Sequence, residues 1–191
     1  MSEFELITIT YSFVLGLGIA QILSAASAAL RNRSERPLHW LPLAVAASIF
    51  LFHVQYWFVL GDFDLNLIDD WTWGTYGPFL ALAVVLFMSG GIVLPAPGAE
   101  TGESLIHDFE DSGKLSLLFL AAYILGWVPA NAWAGGSWLD SGVWFNLGLT
   151  IPLLVTYYAR NITLRNAAAV VFLVAQVYGL AFVWSTPTDI T

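Results

Sequence analysis

The chain has 191 residues, of which 58% are hydrophobic and only 10% are charged, and its formal net charge is −8. Soluble globular proteins carry about 25% charged residues, so this composition excludes an ordinary water-soluble fold and predicts an integral membrane protein. The absence of cysteine excludes disulfides, iron–sulfur clusters and thiol nucleophiles, and three histidines leave little scope for metal or haem chemistry. Nucleic-acid binding is excluded because the sequence has no basic patch.

Apolar segments long enough to cross a bilayer recur along the whole chain. A hydrocarbon core about 30 Å thick needs roughly 20 apolar residues, and no polar stretch is long enough to form a second domain. We therefore predict one all-α transmembrane domain over residues 1–191, built as a bundle of six transmembrane helices. The six predicted segments are residues 6–30, 40–60, 71–94, 115–133, 143–158 and 167–184.

Every lysine and arginine falls in a connection on the same predicted side of the membrane. These residues are Arg31, Arg33, Arg36, Lys114, Arg160 and Arg165. Because cations are retained on the cytoplasmic side, we expect the N- and C-termini to lie outside. Inner carboxylates balance the cations, so the net charge is expected on the outer face, at Glu3, Glu5, Asp62, Asp64, Asp69, Asp70, Asp140 and Asp189.

The longest connection, residues 95–113, predicts a short amphipathic helix between the third and fourth segments. Leu105, Ile106 and Phe109 share one face of it. Its polar face is acidic, so anionic lipid would repel it, and we expect it to dock onto the protein's own helix ends. Glu103, His107 and Asp111 share a second face, where a solvated acidic surface is favoured over a cation site and no metal is expected.

A short internal similarity leaves a 3+3 inverted repeat open as an alternative architecture. Residues 14–21 (VLGLGIAQ) can be aligned with residues 124–131 (ILGWVPAN). If the repeat is real, glycine and proline would interrupt the first and fourth helices at matching places, as at midplane binding sites of transporters. Helix packing is the favoured interpretation of these glycines and prolines.

Small residues recur every fourth position along the first segment. Such a stripe allows the backbone of another helix to approach closely. A partner within the chain is favoured over a second protomer, because a helix in a six-helix bundle has several neighbours. The predicted packing residues are Gly16, Ala20, Ser24 and Ala28, in line with Ser12.

Polar and aromatic side chains gather in the predicted outer half of several segments. Polar groups in a membrane are costly, so they either pair between helices or face a cavity. Interhelical hydrogen bonds are the favoured interpretation, for these residues as for Gln21 and Gln176. The alternative is an outward-facing ligand pocket, lined by His53, Gln55, Tyr56, Trp57, Trp127, Asn131, Asn146 and Ser12.

The sequence favours binding over catalysis. It has no paired intramembrane carboxylates, no Ser/His/Asp spacing and no phosphate-binding loop, so we expect neither an enzyme nor a cofactor. The predicted function is binding or transport of a small solute or lipid-like ligand through the outer pocket. The alternative is a non-catalytic accessory or scaffold subunit, whose partners would be the lipid bilayer and a second copy or another membrane protein.

The first 60 residues carry a resemblance to a known group of proteins. Glu5, the run Ser12 to Gly18, the Arg31 to Arg36 cluster, Trp40 and Gln55-Tyr56-Trp57 together resemble small uncharacterised bacterial multi-pass inner-membrane proteins. The resemblance implies a bacterial cytoplasmic membrane as the location. It implies no activity for particular positions.

Overall fold

The computed structural model describes residues 3–62, 73–98, 104–133 and 141–183. All regular secondary structure in these ranges is helical, which confirms the all-α fold. A helix coincides with each of the six predicted segments and with the predicted short amphipathic helix. The helices are α1 Glu3–Arg31, α2 Trp40–Asp62, α3 Trp73–Ile92, α4 Leu105–Asp108 with a π turn Phe109–Gly113, α5 Leu115–Trp133, α6 Ser141–Tyr158, and α7 Ile162–Tyr178 with a π turn Gly179–Val183.

Length and composition allow three of the described helices to cross a membrane. These stretches are Thr8–Arg31, Trp40–Val59 and Ile162–Ala181. A fourth span results if α4 and α5, which meet at an angle of 55°, are taken as one broken crossing. Six separate crossings remain a proposal.

Helix α7 begins earlier than the apolar pattern predicts. The side chain of Asn161 caps it, because Asn161 Oδ1 accepts the backbone N–H groups of Thr163 at 2.8 Å and Leu164 at 3.4 Å. Such a cap satisfies donors that the first turn leaves unpaired. The start of α7 is therefore set by a polar residue, which a pattern of apolar residues does not reveal.

Helices α1 and α5 run without a break through the positions where the inverted repeat predicts interruptions. Gly16 and Gly18 lie within continuous α1, and Gly126 and Pro129 within continuous α5. These helices therefore show no interruption at the matching positions, and the inverted repeat stays a prediction. Proline is tolerated inside membrane helices when neighbouring groups satisfy the freed carbonyl.

Neighbouring helices pack in a closed order, α1 against α3, α3 against α5, α5 against α6, α6 against α7, α7 against α2, and α2 against α1 and α3. The core-facing side of α1 carries Tyr11, Leu15, Gly18, Ile22 and Ala25, at alternating spacings of four and three. Such spacing keeps one side of a helix against its neighbours. The outer surface of the bundle exposes large apolar side chains, as a protein in contact with lipid does. On α7 these include Val170, Val171, Val174 and Val177.

Candidate functional site

His53 lies at the meeting point of three helices. It is on α2, its side chain is fully buried, and its ring packs against Gly18 of α1 and beside Gly90 of α3. His53 Nδ1 donates to the carbonyl oxygen of Ile49 at 2.8 Å, since a carbonyl can only accept. Nε2 of the neutral ring is then an acceptor, and it has no hydrogen-bond partner among the described residues.

A cluster of aromatic rings surrounds Tyr56, one helical turn from His53. Tyr56 is fully buried and its hydroxyl donates to the carbonyl oxygen of Phe79 on α3 at 2.6 Å. Its ring lies 5.4 Å from Trp127 and 6.0 Å from Tyr123, both on α5, and 6.2 Å from Tyr11 on α1. The cluster joins four helices and is bound to the α3 backbone.

The sequence identified Tyr56 and Trp127 but missed Tyr11 and Tyr123. Tyr11 is buried, and its hydroxyl donates to the carbonyl oxygen of Tyr76 at 2.9 Å. Tyr11 lies in register with Leu15 on one of two stripes along α1, and the sequence did not show which stripe is buried. Tyr123 had no comparable signal, because α5 is apolar on every side.

The other predicted pocket residues lie in different surroundings. Trp57 is half exposed at the surface of the bundle, whereas Ser12, Gln55 and Asn146 are partly buried. The side chain of Asn131 lies outside the described part of the chain. Of the eight predicted residues, the structure brings Tyr56 and Trp127 into ring contact and encloses His53 separately between α1 and α3.

The prediction of interhelical hydrogen bonds is confirmed for Gln176 and is wrong for Gln21. Gln176 of α7 is buried, accepts from Ser48 Oγ of α2 at 2.5 Å, and donates to the Ser48 carbonyl at 3.0 Å. A second such bond runs from Ser89 Oγ of α3 to the carbonyl oxygen of Ser116 of α5 at 2.9 Å. Gln21 is exposed instead, with its Oε1 beside Gly91.

The small-residue stripe of α1 faces away from the other described helices. Gly16, Ala20 and Ser24 are exposed and Ala28 is partly exposed. A methyl group added at Gly16 would meet no atom within 4 Å. The favoured packing partner within the chain is therefore a wrong expectation, because the opposite side of α1 carries the larger buried residues that fill the core.

At one end of the bundle, helix α4 and its π turn join several connections. We call this the basic end, because Arg36, Lys114 and Arg165 lie there. Arg36 pairs with Asp108, and Arg165 pairs with Glu110, whose other oxygen lies 3.8 Å from Lys114 Nζ. Leu105 and Phe109 are buried beneath the turn. The amphipathic helix therefore docks onto the protein's own helix ends, as the sequence predicts.

These ion pairs shift the titration of the groups around them. Partial burial would raise the pKa of Glu110, but the hydrogen bond and charge of Arg165 lower that pKa below its ordinary value, with help from Lys114. Burial, and then the charge of Arg165, lower the pKa of His39, just before α2. Buried Arg165 is thus compensated by a carboxylate, as a buried charge must be.

The weak cation site considered from the sequence has two of its three residues in the described part of the chain. His107 Nε2 lies 3.3 Å from Asp111 Oδ2, and both side chains are mostly exposed. Glu103 lies outside the described residues. No group of three potential metal ligands occurs among the residues that the structure describes.

No protein-family model, curated protein or solved structure matches the chain. Its function has to follow from the three features above: the aromatic cluster with neighbouring His53, the exposed stripe of α1, and the ion pairs of the basic end.

Proposed function

We propose that the chain is a single domain with six transmembrane helices in a bacterial cytoplasmic (inner) membrane, with both termini outside. Helices at all six predicted segments support this, since irregular backbone is not tolerated against lipid. The joining of Arg36, Lys114 and Arg165 at one end also supports it, because cations are retained on the cytoplasmic side.

The orientation can be tested with single cysteines, because the chain has none of its own. A cysteine in place of Asp64 should react with a membrane-impermeant thiol reagent added outside intact cells. A cysteine in place of Glu103 should react only after the membrane is opened. The reverse pattern would contradict the proposed orientation.

Within this membrane domain, the protein acts as a non-catalytic accessory or scaffold subunit that binds another transmembrane helix. The observation that carries this function is the exposed side of α1, where the small residues Gly16, Ala20 and Ser24 lie in line. In lipid, helices associate through close packing of small residues, since apolar side chains gain little by leaving lipid. The buried and ring-packed state of Tyr56 also favours a structural role for the outer aromatic residues.

Two glycines allow a matched test of this function. Gly16 on α1 and Gly148 on α6 are both exposed, and a methyl group added at either would meet no atom within 4 Å. We expect Gly16→Leu to release the bound partner, whether a second copy or another protein, while Gly148→Leu retains it. The measurement is the mass of the gently extracted complex. Equal masses for wild type and both variants would contradict a role for α1.

Ligand binding or transport is the second candidate function, with a small solute or lipid-like molecule near the outer aromatic cluster. The observation that favours it is His53 Nε2, a buried acceptor without a described partner on the residue one helical turn before Tyr56. An inverted repeat would suit this function. An experimental structure in lipid tests it: non-protein density among His53, Gln55 and Trp127 would favour binding, and a filled interior would exclude it.

A further inference from the structure

Residues 104–113 cross the basic end and tie two distant parts of the chain together. Arg36, in the connection before α2, donates to the carbonyl oxygen of Ser104 at 3.2 Å and pairs with Asp108. The backbone N–H of Leu105 donates to the carbonyl oxygen of Pro37 at 3.4 Å. Glu110 pairs with Arg165 near the start of α7. This segment therefore holds the beginnings of α2 and α7 at a defined separation.

The same segment leaves α5 at a sharp angle. Its axis and that of α5 differ by 55°, and the change of direction falls at Gly113, the last residue of the π turn, and at Lys114. A methyl group at Gly113 would lie 2.8 Å from Phe109 Cδ2 and 3.0 Å from the carbonyl oxygen of Val93. A larger residue at position 113 would therefore have to displace the Phe109 ring and crowd the Val93 carbonyl. Single π turns occur often at functional sites within helices.

We infer that residues 104–113 form a hinged strap, which turns about Gly113 and Lys114 and is held closed by the ion pairs Arg36–Asp108 and Arg165–Glu110. Opening the strap exposes the apolar side chains of Leu105 and Phe109 and uncovers both arginines. The protein then has a second state in which an apolar and cationic surface is presented at the basic end.

The forces that close the strap differ in their response to solvent. Leu105 and Phe109 are each 1% exposed, so their burial holds the strap down in any salt. The Glu110 side chain is 42% exposed, so dissolved ions reach the Arg165–Glu110 pair and weaken it. The side chains of Arg36 and Asp108 are only 12% and 15% exposed, so salt weakens that pair much less. Added salt therefore shifts the balance toward the open state mainly by weakening the Arg165–Glu110 pair.

Only a few charged and titratable groups lie around the strap in the part of the chain that the structure describes. From the packed elements they are Arg36, His39, Lys114 and Arg165, and from the strap itself they are His107, Asp108, Glu110 and Asp111. His107 and Asp111 face outward and pair with each other, at 60% and 67% exposure. A substitution at Asp111 therefore changes the charge of the strap and leaves both closing ion pairs intact, so it serves as a control.

Hydrogen–deuterium exchange of the full-length protein in lipid discs tests the inference. Exchange is followed for backbone amides of residues 104–114 and, as an internal reference, of residues 116–130 in α5. In the double variant Asp108→Asn/Glu110→Gln we expect exchange in the strap to accelerate about tenfold or more, since two ion pairs are lost. Exchange in α5 should stay unchanged, and Asp111→Asn should match the wild type.

A second measurement uses the wild type alone, so it does not depend on a variant that folds poorly. Raising the salt concentration should accelerate exchange in residues 104–114 and leave residues 116–130 unaffected. Strap exchange that ignores both salt and the double substitution would overturn the inference, because the segment would then be a permanent part of the bundle. Equal acceleration in the strap and α5 would overturn it too, since the segment would open only with the whole bundle. The inference does not depend on the proposed role of α1.

Discussion

Gly18 of α1 lies directly against the imidazole of His53 of α2, so that a methyl group added at Gly18 would overlap ring atom Nε2. The contact explains why α1 carries glycine on its core-facing side: only a hydrogen atom leaves room for a ring at the crossing of two helices. It also encloses His53, whose side chain is fully buried. Two glycines on one helix, Gly16 and Gly18, thus face opposite environments.

Substituting these two glycines should have opposite consequences. Gly18→Ala forces the His53 ring out of its position, and overpacking of this kind costs about 1–3 kcal/mol. Gly16→Ala meets no neighbouring atom within 4 Å and should leave stability unchanged or slightly raised, because alanine favours the helix. Unfolding in mixed micelles with increasing sodium dodecyl sulfate measures both. Equal stability of the two variants would show that the Gly18–His53 contact is not close.

Removing the Tyr56 hydroxyl should weaken the aromatic cluster without changing its shape. Tyr56→Phe deletes the hydrogen bond to the Phe79 carbonyl oxygen, and we expect a loss of about 0.5–1.5 kcal/mol in unfolding free energy. Tyr158→Phe is the control, because that residue is 71% exposed. The same micelle titration distinguishes them. A loss as large in the control would mean that the effect does not come from the buried bond.

The Ser48–Gln176 pair should couple α2 to α7 energetically. In a double-mutant cycle with Ser48→Ala and Gln176→Leu, we expect a coupling of about 0.6 kcal/mol, and not above about 1.7 kcal/mol, the range found for hydrogen bonds in membrane bundles. The control cycle combines Ser48→Ala with Gln21→Leu, because Gln21 is exposed. Coupling near zero in the first cycle, or equal coupling in both, would remove this pair as a link between the helices.

Acid should destabilise the basic end in two stages. His39 has its pKa lowered by folding, so the folded protein binds this proton more weakly and stability falls as the pH drops below about 6.5, the ordinary value. Glu110 also has its pKa lowered, so its contribution is complete above about 4.5 and is lost as the pH falls through the lower folded value.

Glu110→Gln should therefore abolish the lower stage and leave the upper one in place, with an effect below about 1 kcal/mol because the carboxylate is partly exposed. Asp111→Asn provides the control on the same turn. Unfolding free energy measured from pH 8 to pH 3 follows both stages. A lower stage that persists in Glu110→Gln would assign it to another carboxylate.

The sequence predicted the positions of the helices, because an apolar run of about 20 residues is typical of a helix that can cross a bilayer. Residues 115–133 were predicted with the same ends that the structure has. Leu105 and Phe109 revealed the docked amphipathic helix, since their spacing places them on one face. Polar capping by Asn161 moved the start of α7, because boundaries depend on side-chain hydrogen bonds that hydropathy does not register.

The tertiary structure alone decided which side of each helix faces the core. Along α1, small residues and larger apolar residues both form continuous stripes, and either stripe could have been buried. The neighbouring helices pack against Tyr11, Leu15 and Ile22 and leave Gly16 exposed. The same packing buries His53 and leaves Trp57 of the same helix half exposed. In lipid, an apolar side chain is stable whether it faces lipid or another helix, so composition does not show which side of a helix is buried. Shape complementarity between the helices determines which side packs into the core.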